Sequence, residues 1–443
     1  MVAVNVKIIN ELKSFLTIIL SDSEMKQVCF ERKEDFSRKR KIGFSETVFL
    51  MVNMIKRSLK IEIQDFLEYG LGKKMSYTKM AFVLQRKKIK SIVFEVWNHL
   101  LVKNFHHYYQ DNVKKWNDFL LIAVDGTTAY LVDKPEVRNY FGVQKNQYVE
   151  VPMARIIKFY DVLNNITIFS KILPITHGEQ SILSTYINHI PKDSISIYDR
   201  GFPSYLLIYL LNNQETTRHF VMRCKVDFNH KVKEFVASNQ KDVIVDFFPT
   251  SDAIKKLYNC GYHVTKDLAI KVRMVKVTLE TGVTEVLLTN LYDEDKFKTS
   301  CFKELYFKRW GVETSINFDK NLLQIEEFSG QSVKTIEQDF YISIFVLNLQ
   351  SLLEKQCEPE LEKINNERKL KYKINKNISI GSMKNRIVKL FIVENSEIIL
   401  IELQNLFLES LEPIRPGRSA PRVFKKIKKK GKFKTLTNYK RAI

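Results

Sequence analysis

Three carboxylates in this sequence sit where metal-dependent chemistry would want them. Asp125 follows the apolar run Phe119-Leu-Leu-Ile-Ala-Val124 and precedes Gly126-Thr127, while Asp199 follows Ser194-Ile-Ser-Ile-Tyr198 and precedes Arg200-Gly201. Each is the first charged residue after a stretch that reads as a buried strand, and each is followed at once by a turn signal. Hard divalent cations need a few carboxylate oxygens in fixed positions, which a strand end supplies. A strand-end aspartate also simply starts a turn, so either one alone says little. The third carboxylate, Glu313, lies in Tyr306-Phe-Lys-Arg309-Trp-Gly-Val-Glu313, inside a helical pattern over residues 297–325. At about 100° per residue, Tyr306, Arg309, Glu313 and Lys320 share a stripe about 60° wide. At about 1.5 Å per residue the stripe is some 21 Å long. A metal site uses the carboxylate, and a phosphodiester beside it uses the cations. The same stripe also describes a solvated face with an Arg309–Glu313 pair at i,i+4.

The elements around these residues alternate. Residues 1–110 are poor in Gly and Pro and carry apolar residues at helical spacing in 46–59 and 92–102. Gly70-Leu-Gly-Lys-Lys-Met-Ser76 is a turn signal, and Ser76 is placed to cap a helix over 77–89 that carries Lys79, Arg86 and Lys87. Helix, turn and capped basic helix fit a helix-turn-helix reader of DNA; they fit a bundle with a solvated basic face equally well. From residue 118 the pattern reads strand, hairpin of two strands about Leu163-Asn-Asn165, helix, strand, helix, strand, which is a mixed α/β sheet. Residues 226–292 alternate β-type stretches and turns, followed by helical patterns over 297–325 and 332–355 and a polar, helical stretch over 357–413.

Composition points to a polyanionic partner. Formal net charge is +21, and 45% of the 443 residues are hydrophobic, enough for a large core. Twelve Lys and Arg with no Asp or Glu lie from Arg415 to the last residue, a block that binds phosphates without reading sequence. The longest apolar runs are about half the ~20 residues that a membrane span needs, and no signal peptide is read. The five cysteines are scattered, with no C-x-x-C pair, which argues against a structural zinc site or a disulfide framework and fits a reducing cytoplasm. His106-His107 reads as surface or helix-end packing, and His177-Gly-Glu179 as a helix cap.

The spacing Y-x-x-R-x-x-x-E, six residues, then K, complete at Tyr306, Arg309, Glu313 and Lys320, resembles the Y-R-E-K signature of the IS-four family of insertion-sequence transposases. Asp199-Arg-Gly-Phe202 is similar to the family's D-R-G-[FY] element and Asp125-Gly-Thr to its D-G-[TS] element; Phe220-Val-Met-Arg223 and Phe328-Ser-Gly330 resemble flanking patterns. The resemblance covers about 119–350. It implies a ribonuclease-H-like catalytic core interrupted by a β-rich insertion. It also implies Asp125, Asp199 and Glu313 as a catalytic triad holding two Mg²⁺ (or Mn²⁺) ions, and Tyr306, Arg309 and Lys320 as contacts to the transposon end. Arg200 and Arg223 lie within these patterns and join the expected DNA contacts, with Lys79, Arg86 and Lys87 from the N-terminal helix. The family pattern also has an acidic residue near Glu179, which would then stand behind the metal ligands. Some relatives use an insertion-domain Trp to stabilise a flipped base. Here Trp97, Trp116 and Trp310 all lie elsewhere, so Phe247, Phe248, Tyr258 or Tyr262 substitutes, or the step is handled otherwise.

The expected fold is therefore mixed α+β. It comprises a helical N-terminal DNA-binding domain (1–112), the core's first part (113–225), a β-rich insertion (226–294) and the core's second part with the glutamate helix (295–355). A C-terminal helical region (356–413) and a basic tail (414–443) follow. The expected activity is cut-and-paste transposition of double-stranded DNA, acting on terminal inverted repeats and target DNA, by a homodimer at the bacterial nucleoid with no membrane association. A metal-dependent nuclease on the same core without strand transfer, and an inactive DNA-binding relic, remain open alternatives.

Overall fold

A computed structural model describes residues 1–73, 76–145, 149–212, 218–279 and 282–415. The basic run beyond Arg415 lies outside the described residues. The chain forms two compact units.

One unit holds Met1–Val113, Ala129–Ala154 and the described residues from Phe318 on. Its N-terminal part is helical, in segments Val2–Ser21, Ser23–Cys29, Phe44–Val52, Leu59–Asp65, Lys79–Arg86 and Ile92–Tyr108. Ile8, Ile9, Leu12, Phe15, Leu16 and Ile19 recur at helical spacing and are buried. The 34-residue helix Val333–Asn366 is the spine of this unit, and Trp97 stacks on its Phe345 with ring centroids 4.0 Å apart. The basic helix is shorter than expected: it spans Lys79–Arg86, and Thr78, not Ser76, caps it by accepting from Ala81 N. The polar stretch over 357–413 is helical at Lys376–Met383, Arg386–Ile392 and Glu397–Glu409.

The other unit holds Lys114–Thr128 and Arg155–Asn317. The strands in chain order are β1 (Leu120–Tyr130), β2 (Val143–Lys145), β3 (Glu150–Asp161), β4 (Ile166–Pro174), β5 (Ser194–Tyr198), β6 (His219–Cys224), β7 (Asp242–Phe247), β8 (Ile270–Thr278) and β9 (Thr284–Thr289). The sheet runs β4-β3-β1-β5-β6-β9-β8-β7. β1, β5 and β6 are parallel, whereas β6/β9, β9/β8 and β8/β7 are antiparallel. β2, in the first unit, pairs with the start of β3. The fold is thus mixed α/β around a large central sheet. The β3–β4 hairpin turns at 162–165, where Asn165 takes φ +57° and the Asp161 carboxylate accepts from Leu163 N and Asn164 N. The stretch 226–294 contributes β7–β9 to this same sheet, together with helices His230–Ala237 and Ser251–Asn259, which the sequence reading lacks.

The core beneath the parallel strands is Leu121, Ile195, Ile197, Val221, Leu287 and the helix residues Phe302 and Leu305. Central strands covered on both faces read as continuous apolar runs, which is why 120–124 and 194–198 look as they do.

Candidate active site

β1 and β5 place the two aspartates side by side. Their parallel register ends at Val124 opposite Tyr198, so Asp125 and Asp199 each follow the last pair on adjacent strands about 4.8 Å apart. In open α/β sheets, ligands gather at the carboxyl ends of such strands. Asp199 does end its strand: its carboxylate accepts from Gly201 N (3.0 Å) and its carbonyl from Phe202 N (3.1 Å). Asp125 does not. β1 continues to Tyr130, because its other edge is still paired with β3 after β5 has stopped.

Glu313 comes from the helix Trp310–Asn321. The expected single helix over 297–325 is broken: Phe302–Phe307 ends, and i→i−3 bonds from Arg309 N to Tyr306 O and from Val312 N to Arg309 O tighten the chain before it resumes. The second helix docks through Val312, which packs on Ala123 of β1 and Tyr160 of β3, and Gly311 lies against Val162, leaving a Cβ there only 3.1 Å from its nearest atom. Ala123 and Asp125 share a face of β1, so the residue after Val312 arrives beside Asp125.

Arg309 links the set. Its guanidinium is 2% exposed, lies 5.6 Å from the Tyr306 ring centroid and 5.0 Å from that of Trp310, and gives one amine to Glu313 Oε1 at 2.6 Å. Among the described residues its buried Nε and Nη1 have no hydrogen-bond partner, and neither has the buried Tyr306 hydroxyl. Arg223 lies 5.9 Å from the Tyr306 ring centroid, bonds Glu285 at 2.5 Å and stands 4.0 Å from Asp199. Burial pushes Tyr306 up to about 12. Asp125 is pushed up to about 6, first by burial, then by the negative charges of Glu313 and Glu179; the Gly126 N–H and the Arg309 charge oppose this.

Glu179 is the residue whose place the sequence left vague. It opens the helix Glu179–Tyr186, bonds Arg155 Nη1 of β3 at 3.0 Å, and occupies the space beside Asp125 that a side chain at Gly126 would fill. Arg155 had no signal beyond a charge inside an apolar strand.

The expected DNA contacts divide. Tyr306, Arg309 and Arg223 gather around the carboxylates, and Arg200 is exposed next to Asp199. Lys320 stands 3.6 Å from Glu326. Lys79 and Lys87 are exposed. Arg86 is a correction: it is 3% exposed, and its guanidinium holds Gln338, Ser329, Asp339 and the Thr335 carbonyl at 2.5–3.0 Å, so it faces the interior. Among the described residues, no three His, Cys, Asp or Glu side chains converge to hold a metal ion as they stand. Instead Glu313 turns to Arg309, and Asp125 and Asp199 accept from nearby backbone amides.

No family model matches the chain. A stretch of 113 residues is 27% identical to the Escherichia coli (strain K12) protein named "Putative transposase InsZ", spanning 24% of this chain and 37% of that protein. The chain is also similar to the piggyBac transposase in a synaptic complex with hairpin DNA, solved by cryo-electron microscopy. The TM-score there is 0.37 at 10% identity, over 90% of this chain and 77% of that one.

Proposed function

We propose that the chain is a DDE transposase, of the IS-four type that its signature resembles, which cuts DNA at the ends of an insertion sequence and joins them to target DNA. The observation that carries the reading is the in-register placement of Asp125 and Asp199 on adjacent parallel strands, with the Glu313 helix packed on Ala123. The local identity to a protein named as a transposase supports it. So does the mixed sheet, which suits a ribonuclease-H-like core.

In chemistry the donors suit Mg²⁺ or Mn²⁺: three carboxylates, no soft ligand, and an Asp125 whose charge is disfavoured chiefly by burial and then by Glu313 and Glu179, a cost that a bound cation would offset. Asp125, Asp199 and Glu313 would hold two ions per active site, which when bound supply an activated water and stabilise the leaving 3′ oxygen. The chain's own part is positioning. Arg309 has two donors unpartnered among the described residues, which a phosphate reaching Glu313 would satisfy once it displaces what covers them. Tyr306 and Arg223 pack beside it, Arg200 is an exposed cation next to Asp199, and Lys320 is a further proposed DNA contact. No Ser or Tyr nucleophile is invoked. Lys79, Lys87 and the basic run beyond Arg415 add sequence-independent phosphate contacts. Cutting two ends calls for two copies of the chain on one DNA complex.

The test uses labelled duplexes carrying the DNA that flanks the gene, with Mg²⁺. The wild-type protein nicks them and joins pre-cut ends to a plasmid, whereas Asp125→Ala, Asp199→Ala and Glu313→Ala bind but do not cut. Cutting by Glu313→Ala would overturn the assignment; cutting without joining by the wild-type protein would make it a nuclease.

A further inference from the structure

Behind Asp125 lies a buried lysine that the triad does not account for. Val162 N donates to Leu121 O and Leu131 N to Pro152 O, both at 3.0 Å, so β1 and β3 run antiparallel in one register. That register sets Ala123 opposite Tyr160, which are indeed packed together, and Asp125 opposite Lys158. Directly opposed residues share a face, with Cβ atoms about 5 Å apart. Lys158 is 1% exposed; its ammonium donates to the Ser315 hydroxyl at 2.6 Å and lies 5.1 Å from the Tyr160 ring centroid.

Burying an ammonium costs several kcal/mol unless its surroundings compensate, and a methionine would fill the same space without that cost. The gain here is directional. Val312, Ser315 and Ile316 stand at i, i+3 and i+4 and form the sheet-facing stripe of the helix. Apolar contacts at Val312 and Ile316 hold the helix down but resist rotation about its axis weakly, since dispersion is not directional. A hydrogen bond at Ser315 fixes that rotation, and with it the direction in which Glu313, two residues earlier, leaves the helix.

We propose that Lys158 and Ser315 are positioning residues for Glu313: the lysine of β3, bonded to the helix hydroxyl, sets the Glu313 carboxylate against the strand that carries Asp125. The inference rests on the metal-site reading above. It implies that loss of either partner loosens metal binding without touching a ligand, as removal of an outer-sphere partner generally does.

The test is Mn²⁺ binding to the full-length protein without DNA, followed by the loss of the free-Mn²⁺ paramagnetic resonance signal, with thermal unfolding run in parallel. Lys158→Met and Ser315→Ala are each expected to weaken Mn²⁺ binding about tenfold, with the double variant no worse than the weaker single. The sign is informative. Deleting a cation beside carboxylates would by itself tighten Mn²⁺ binding, so tighter binding by Lys158→Met overturns the proposal. Wild-type affinity in Ser315→Ala overturns it too, and that mild variant decides the matter if Lys158→Met does not fold. Glu313→Gln binding Mn²⁺ like the wild-type protein would instead remove the metal site on which the inference rests.

Discussion

The carboxylate of Glu179 fills the space that a side chain at Gly126 would need: a Cβ there would stand 2.8 Å from Glu179 Cγ and closer still to its carboxyl group. Arg155 holds that carboxylate in place, so it cannot swing away without losing an ion pair. Gly126→Ala is therefore expected to lower stability by about 1–3 kcal/mol, the usual range for overpacking. Adding Glu179→Ala should recover most of the loss, since Gly126 is not among the glycines with positive φ. Urea midpoints of the two variants measure this; an unperturbed Gly126→Ala protein would show that the glycine answers to something else.

Asp125 gives a pH dependence with a definite sign. Its carboxyl is pushed up to about 6, chiefly by burial. A carboxyl whose folded pKa lies above its unfolded value of about 3.9 binds protons more readily in the folded state. Its penalty is absent below about pH 4, grows between 4 and 6, and is complete above 6, at about 3 kcal/mol for a shift of roughly two units. Asp125→Asn in EDTA should therefore be more stable than the wild-type protein at pH 8, with the gap closing as pH falls to 4, while cleavage is lost. Thermal unfolding at the two pH values checks it, and a gap that widened in acid would refute the burial argument.

How much of this could be read in the sequence depended on the range of the forces involved. The strands bearing Asp125 and Asp199 were legible, because burial on both faces demands continuous apolar runs. That β1 runs past Asp125 was not, since what extends it is pairing with β3, a tertiary matter. The Asn165 turn was legible from a local preference for positive φ. The break between Tyr306 and Trp310 was hidden: no proline marks it, and it arises from docking Val312 and Gly311 against the sheet. Helices His230–Ala237 and Ser251–Asn259 were missed although Asn229 and Thr250 cap them, because each is too short to show its period. Nothing in the sequence marks Lys158, and only the register of β3 reveals its neighbours.

Arg86 and Lys87 are adjacent in sequence yet have opposite tasks, since consecutive helical positions point about 100° apart. Arg86→Met should cost about 3 kcal/mol, because it removes the cation that Asp339 holds at 2.7 Å and leaves that carboxylate only its bonds from Ser329. Lys79→Ala and Lys87→Ala should leave stability alone and weaken binding to any duplex, each lowering the salt dependence of the affinity by about one ion. Titrations at several salt concentrations, beside chemical denaturation, separate the two behaviours. A stable Arg86→Met protein with weakened DNA binding would return Arg86 to the DNA-contact set.

Arg309 combines two features that rarely coexist: a side chain 2% exposed, and two donor nitrogens without a partner among the described residues. Leaving buried donors unsatisfied costs about 1–3 kcal/mol, so a fold under selection for stability alone would have supplied acceptors. A phosphate oxygen arriving beside Glu313 would satisfy them, and the planar fork suits it better than an ammonium does. Arg309→Lys keeps the charge and can keep the bond to Glu313, but loses the second and third donors. Cleavage of end-bearing duplex is expected to fall about a hundredfold, as when a preorganised donor is removed, while Mn²⁺ binding stays near the wild-type value. Cleavage at the wild-type rate would mean that the orphaned nitrogens meet no phosphate in the reaction. A parallel loss of Mn²⁺ binding would mean that Arg309 acts by orienting Glu313 instead.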